Sequence, residues 1–241
     1  MYKLPVTKIE EYKEGDKVTF KIITLSNKKN EFSFQTGQFV MISMEDYKRW
    51  DKPKEQYWTA MSIASSHLDK DHVEFCMEIK ETEGFSKHLG DSLKVGDHLF
   101  LKEPMGKFTI KDMKKDMIFV GTGSGVAPVM GMIRTLVKSG YKKNFKLFFG
   151  FRYCGDCLYG EELEKYAKEL PNFEFVSVCS RDDTWKGARG HIQEHMESCD
   201  FKSPDDTHVY MCGNPKMVMS VKEILQKKGF KKENLFQEQW A

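Results

Sequence analysis

The chain has 241 residues, 40% of them hydrophobic, enough for one large domain or two modest ones with real cores. Lys and Arg number 38 against 36 Asp and Glu, with the two signs interleaved, which excludes the clustered basic excess of a nucleic-acid protein. No run approaches the ~18 apolar residues of a membrane span, and the opening Met-Tyr-Lys-Leu-Pro-Val-Thr-Lys has no apolar signal core, so no membrane partner and a cytoplasmic location are expected.

In chain order, the first half predicts short strands over 17–25, 38–44, 59–65, 72–80 and 98–102, with turn signals such as Gly37 and Gly96-Asp97 between them. A short helix is expected over 86–93. Many short strands separated by turns predict a small antiparallel β-barrel. The rhythm changes at 112–116, which sets the expected boundary between a domain over 1–112 and a domain over 113–241.

The second half opens with Ile118, Phe119 and Val120, an apolar run with strand propensity. Gly121, Gly123 and Gly125 follow, alternating with small hydroxyl residues. Val129, Met132, Ile133, Leu136 and Val137 then recur at helical spacing, with Gly140 as the stop. Strand 145–151, helix 161–170, strand 173–179, short helix 190–197 and strand 208–212 come next. Asn214 as N-cap and Pro215 open a helix that Gly229 closes, and 235–240 reads as a last strand. Strands alternating with helices predict an α/β doubly wound parallel sheet.

Strand, glycine-rich turn and helix is the arrangement that sets backbone N–H groups and a helix N-terminus around a phosphate. Glycine there lets the backbone approach a pyrophosphate. The spacing is not G-x-G-x-x-G, because Ala127-Pro128 stands where the last glycine would be, and an ordinary tight turn before a helix fits the same pattern. Cys76, Cys154, Cys157, Cys179, Cys199 and Cys212 read as mostly free thiols of a reducing compartment. Among them only Cys154-Gly-Asp-Cys157 has motif spacing, and no set suits an iron–sulfur centre. The histidines show no metal spacing, so no metal is expected, and His208 reads as a satisfied structural histidine within a strand.

Four segments in this order carry a family likeness: Met61-Ser62-Ile63-Ala64-Ser65, Gly84-Phe85-Ser86, the glycine turn over 121–128, and Cys212-Gly213-Asn214-Pro215 with Met217. Together they resemble the ferredoxin–NADP reductase superfamily, a flavin-binding barrel followed by a nicotinamide-nucleotide domain, over nearly the whole chain. The resemblance implies FAD in the first domain and NADP or NAD in the second, NADP being slightly favoured.

The family's Arg-x-Tyr-Ser motif falls on Thr59, Ala60, Met61 and Ser62. By resemblance Ser62 hydrogen-bonds the flavin N5 edge. Met61 stands where a tyrosine stacks on the ring, and Thr59 stands where an arginine grips the FAD pyrophosphate, so a bidentate partner is lost. Lys52, Lys54 and Lys80 are candidates to replace that charge. Ile63, Met77 and Ile79 are implied to face the cofactor. Gly84, Phe85 and Ser86 match a second flavin motif, with the Ser86 hydroxyl directed at pyrophosphate oxygens. A core strand and a loop glycine are the plain alternatives for these two segments.

On the nucleotide side the resemblance assigns Gly121, Thr122, Gly123, Gly125 and Pro128 to the phosphates. It sets Cys212 near nicotinamide C4, beside Gly213, Asn214 and Met217. Ser180, Arg181 and Arg189, with Arg152, are implied to meet the adenosine ribose and a 2′-phosphate. Glu238 and Trp240, two apart on the last strand and so on one face, match an acid and an aromatic that lie over the flavin in the family. The plain alternatives are a small buried thiol for Cys212, surface charges for the arginines and a domain plug for Trp240.

The activity implied is a flavin-dependent NAD(P)H oxidoreductase. Hydride passes between nicotinamide and FAD, and single electrons pass to or from a separate protein such as a ferredoxin, a flavodoxin or an oxidoreductase subunit. The alternative is a non-catalytic flavin- or nucleotide-binding subunit or sensor of a larger complex.

Overall fold

Backbone pairing, more than apolar alternation, assembles the first six strands. The computed structural model describes residues 1–49, 52 and 54–239. Strands β1 (Tyr2–Glu14), β2 (Lys17–Ser26), β3 (Phe39–Ser43), β4 (Thr59–Ser62), β5 (His72–Glu78) and β6 (His98–Leu101) form one antiparallel sheet in the order β4-β3-β6-β1-β2-β5. Its two edge strands are joined just past β4: Ile63 bridges Phe75, and the Ala64 N–H donates to the Glu74 carbonyl at 2.8 Å. The sheet is thereby nearly closed into a barrel. Val40, Ile42, Ile63, Phe75, Leu99 and Leu101 fill it, and helix α1 (Phe85–Ser92) adds buried Phe85 and Leu89.

β1 departs most from expectation, since no strand is predicted before residue 17. Only Leu4 and Val6 of its 13 residues are buried, so the stretch carries no sustained alternation. It forms because its backbone pairs with β2 from Val6 to Glu14 and with β6 from Tyr2 to Pro5.

The second sheet is built from β7 (Asp116–Thr122), β8 (Phe145–Phe151), β9 (Phe173–Cys179), β10 (Ala188–Arg189), β11 (Thr207–Gly213) and β12 (Leu235–Gln239). The order is β10-β9-β8-β7-β11-β12, and every pair is parallel. Helices α2 (Val126–Lys138), α3 (Gly160–Glu169), α4 (Ile192–Ser198) and α5 (Pro215–Lys227) connect the strands. Strands covered on both faces read as continuous apolar runs, which is why Met117, Ile118, Phe119 and Val120 are all buried. Ile118, Val120, Phe148 and Met211 pack with Met196 of α4 and Val218, Val221 and Leu225 of α5. Phe119, Tyr210 and Phe236 stack in a row, with centroids 5.6 and 5.0 Å apart. The two-residue β10 was too short to leave a sequence signal, and Trp240 lies outside the described residues.

The chain divides into two compact units, Met1–Thr109 with Met130–Ser139, and Ile110–Val129 with Gly140–Ala241. The second half of α2 therefore packs with the barrel. Among the described residues no helix is long and apolar enough to cross a membrane.

Candidate functional site

In the parallel sheet the chain leaves β7 toward β8 on one side and returns beside β7 with β11 on the other. The carboxyl ends of β7 and β11 flank this switch point, where open α/β sheets bind ligands. Gly121, Thr122, Gly123 and Gly125 lie at the end of β7, and Cys212, Gly213 and Asn214 at the end of β11, so the two segments come together. Thr122 Oγ1 accepts a hydrogen bond from the Asn214 N–H at 3.0 Å. A Cβ on Gly125 would stand 2.5 Å from the Gly213 Cα, so packing between the two backbones already requires glycine there.

Gly123–Gly125 forms a 3₁₀ turn that runs into α2, and Thr122 makes no side-chain cap to it. Its first N–H groups suit a phosphate. Pro128 is buried in the first helical turn, where a missing N–H costs nothing. Asn214 instead caps α5: its Oδ1 accepts from the Lys216 N–H at 2.9 Å. Met217 is 5% exposed and belongs to the core under α5.

Cys212 is paired in register with Gly121 on one side and Glu238 on the other. It is fully buried. Burial, and secondarily the Glu238 carboxylate, pushes its thiol well above the ordinary range, so it stands as a neutral S–H. Glu238 is half-buried on β12, and Trp240, expected two residues on, lies outside the described residues.

The expected ribose side gathers at the ends of β8 and β9. Ser180 donates its hydroxyl to the Phe151 carbonyl at 3.1 Å, so its proton is committed to the sheet. Arg152 and Arg181 are exposed, linked by the Arg181 N–H donating to the Arg152 carbonyl at 2.9 Å. Arg189 forms an ion pair with Asp183. Asp182 accepts from the Thr184 hydroxyl at 2.6 Å and from the Cys154 N–H at 3.2 Å, and these bonds hold its carboxyl well below the usual range. The Cys154/Cys157 turn is thus tied to the segment carrying Arg181. Burial pushes the Cys157 thiol up to about 12.

In the barrel, Thr59 and Met61 lie on β4 opposite Ile42 and Val40, and Ser62 opposite Phe39. Met61 is 9% exposed and belongs to the barrel core, so it offers little surface to a ring. Ser62 is buried at the end of the strand, and Ile63 is fully buried. Met77 is buried and Ile79 half-buried, with the Ile79 N–H donating to the Thr19 carbonyl at 2.8 Å. Gly84, at φ 149°, precedes α1 without a side-chain cap, and a Cβ there would meet nothing within 4 Å. That leaves the α1 N-terminus open to an anion. The Ser86 hydroxyl is engaged locally: it donates to the Glu78 carbonyl and accepts from the Lys80 N–H at 3.1 Å. It pins the loop over 79–85, and its one proton is spent on the Glu78 carbonyl. Lys52 pairs with Glu55 at 3.1 Å.

Sequence reasoning missed an aromatic group that joins the two barrel segments. Tyr57 stacks on Phe85 with centroids 5.6 Å apart, and Tyr47 meets both rings edge-on at 5.4 Å. Two tyrosines flanking the run that leads into β4 were the available signal. His208 is also corrected: it is buried in β11, but its Nδ1 has no hydrogen-bond partner among the described residues. One side-chain polar atom each of Asp69, Asp71 and His72 lies within 4.8 Å of the other two, with His72 Nδ1 2.9 Å from Asp71 Oδ1.

The family profile described as Oxidoreductase FAD-binding domain matches residues 4–110, and that described as Oxidoreductase NAD-binding domain matches residues 119–223. The chain is 23% identical to the anthranilate 1,2-dioxygenase electron transfer component of Acinetobacter baylyi, over 80% of this chain and 57% of that protein. It is 28% identical to the reductase component of the propane 2-monooxygenase of Rhodococcus jostii, over 87% of this chain and 56% of that protein. A ferredoxin NADP+ reductase from Neisseria gonorrhoeae, solved with bound FAD and NADP, matches with a TM-score of 0.82 at 19% identity, covering 99% of this chain and 98% of that one. The chain spans only 57% and 56% of the lengths of those two curated relatives.

Proposed function

Because the chain belongs to the ferredoxin–NADP reductase superfamily and carries its FAD-binding and NAD-binding domains, we propose that it is a flavin-dependent NAD(P)H oxidoreductase. It would pass hydride between nicotinamide and FAD, and single electrons to or from a separate protein: a ferredoxin, a flavodoxin or an oxidoreductase subunit. The observation that carries this reading is the tandem of the two domains in one chain, each with a glycine-led, uncapped helical N-terminus at its motif. When bound, FAD accepts hydride and releases electrons one at a time.

The chain's residues then have positional roles. Ser62 sits at the end of β4, where a hydroxyl directed at the flavin N5 edge is called for. The first N–H groups of α1, after Gly84, would hold one pyrophosphate, and those of the 123–126 turn the other. Neutral Cys212 would offer a small wall beside the nicotinamide. The exposed Arg181 and Arg152 are the cations suited to a 2′-phosphate, which favours NADP slightly over NAD. Six free thiols suit a cytoplasmic location.

The test is cofactor content. The purified protein should be yellow with FAD, and apoprotein should take FAD up again. A colourless chain that binds neither FAD nor FMN would end this reading. A second reading, a non-catalytic subunit or sensor, is favoured by the threonine at position 59 and by the burial of Met61 and Cys212. It predicts nucleotide or flavin binding without reduction of the flavin.

A further inference from the structure

We propose that Arg134 is a positioning residue for the flavin, clamping from α2 the backbone that carries Ser62. The proposal rests on the flavin reading above. Arg134 Nη1 donates to the Ala64 carbonyl at 3.0 Å and to Glu74 Oε1 at 2.6 Å. The two side chains are 12% and 10% exposed. Glu74 lies on β5, whose backbone is itself tied to the same segment. The Glu74 carbonyl accepts from the Ala64 N–H at 2.8 Å, and the Glu74 N–H donates to Ser65 Oγ at 3.1 Å. One guanidinium thus closes a ring of bonds through residues 64, 65 and 74.

The helix is close enough to do this because of Gly131. A Cβ there would stand 2.8 Å from the Ser65 carbonyl oxygen and 3.2 Å from that of Ile63. One turn on, Thr135 Oγ1 donates to the Gly131 carbonyl at 2.9 Å. Its single proton being spent, it accepts from Thr36 at 2.8 Å and from Ser66 at 2.7 Å. The backbone from Ile63 to Ser66 is therefore held between α2 and β5.

Stability alone does not call for this pair. A buried ion pair often breaks even against apolar residues of similar shape, because desolvation offsets the attraction. What an apolar pair would not supply is a donor to the Ala64 carbonyl, two residues beyond Ser62. A hydroxyl that must meet one flavin atom needs its supporting backbone held to about 0.5 Å.

The experiment compares wild type with Arg134→Lys and with the double variant Arg134→Met/Glu74→Gln, which removes both charges at similar shape. Folding is followed by far-ultraviolet circular dichroism and thermal midpoint. FAD affinity is read by titrating apoprotein, and flavin geometry by visible circular dichroism. The double variant is expected to fold, to bind FAD at least about tenfold more weakly and to show an altered visible spectrum. Lysine keeps the charge, but its shorter stem and unfixed ammonium hold the two acceptors less rigidly than the planar guanidinium, so Arg134→Lys should bind FAD roughly threefold or more weakly than wild type, yet more tightly than the double variant. Wild-type affinity and spectrum in both variants would overturn the proposal, leaving Arg134 a structural group. If the double variant does not fold, Arg134→Lys decides alone: weaker FAD binding supports the clamp and unchanged binding overturns it. A wild-type apoprotein that takes up no FAD would remove the flavin reading itself, a failure distinct from variants that bind FAD as well as wild type.

Discussion

Thr122 and Gly213 interlock at the carboxyl ends of β7 and β11: a Cβ on Gly213 would collide with Thr122 Oγ1, the atom that accepts from the Asn214 N–H at 3.0 Å. Gly125 faces the same Gly213 backbone. Gly125→Ala would push the glycine turn away from β11, and overpacking of this kind costs about 1–3 kcal/mol. Denaturant unfolding should show that loss, together with weaker NAD(P)H binding by titration. Unchanged stability and affinity would mean the turn has room that the geometry denies it.

A half-buried and a buried histidine, His67 and His208, set the expected acid sensitivity. Burial holds His67 and His208 below the ordinary histidine value of 6.5. In the unfolded chain both regain that ordinary value, so on acidification the unfolded state binds protons first. The stability they contribute is present above pH 6.5 and is lost as pH falls through their lower folded values. Urea unfolding at stepped pH should show this decline. His208→Phe, among Tyr210 and Phe236, should flatten it, and also removes an Nδ1 that has no partner. An identical pH slope in the variant would exclude His208 as a contributor.

Both β8 and β9 fall at the expected bounds: β8 was legible because nearly all of its side chains are buried, and β9, half-buried in its middle, through its apolar residues. The antiparallel β1 was not, since Thr7 to Glu14 hold only half-buried and exposed side chains and the strand exists through its backbone partners. The glycine turn was expected from the strand–glycine–helix pattern, and the Cys212 segment from the family resemblance. Their mutual packing was not, because Gly125 and Gly213 are 88 positions apart in the sequence and meet only through β7–β11 pairing. Arg134 was hidden for a related reason: on the sequence it is one of two charged residues in an apolar helix, and its meaning comes from Ala64 and Glu74.

Nucleotide preference should separate the arginines. All three arginines, Arg152, Arg181 and Arg189, are exposed, and Arg189 pairs at the surface with Asp183. Arg181→Ala is expected to raise the KM for NADPH at least about tenfold while changing that for NADH little, since a charge-assisted bond to phosphate contributes roughly 1.5–3 kcal/mol. Arg189→Ala should affect both nucleotides alike and weakly. Equal losses with both nucleotides in Arg181→Ala would place Arg181 outside a 2′-phosphate site.

Thr59 is half-buried on β4, and the resemblance sets it where the family motif has arginine. Thr59→Arg is expected to tighten FAD by about 1.5–3 kcal/mol if it reaches the pyrophosphate. Isothermal titration of apoprotein measures this. Equal or weaker binding would show that the pyrophosphate is held elsewhere.

Hydride transfer between nicotinamide and flavin within this chain is tested most directly by anaerobic stopped-flow mixing of the FAD-loaded protein with NADPH and, separately, NADH. The expected result is rapid bleaching of the oxidised flavin band, saturable in nucleotide and faster with NADPH. A flavin that stays oxidised with both nucleotides, in protein that binds them, would contradict the oxidoreductase reading and leave the chain a binding subunit.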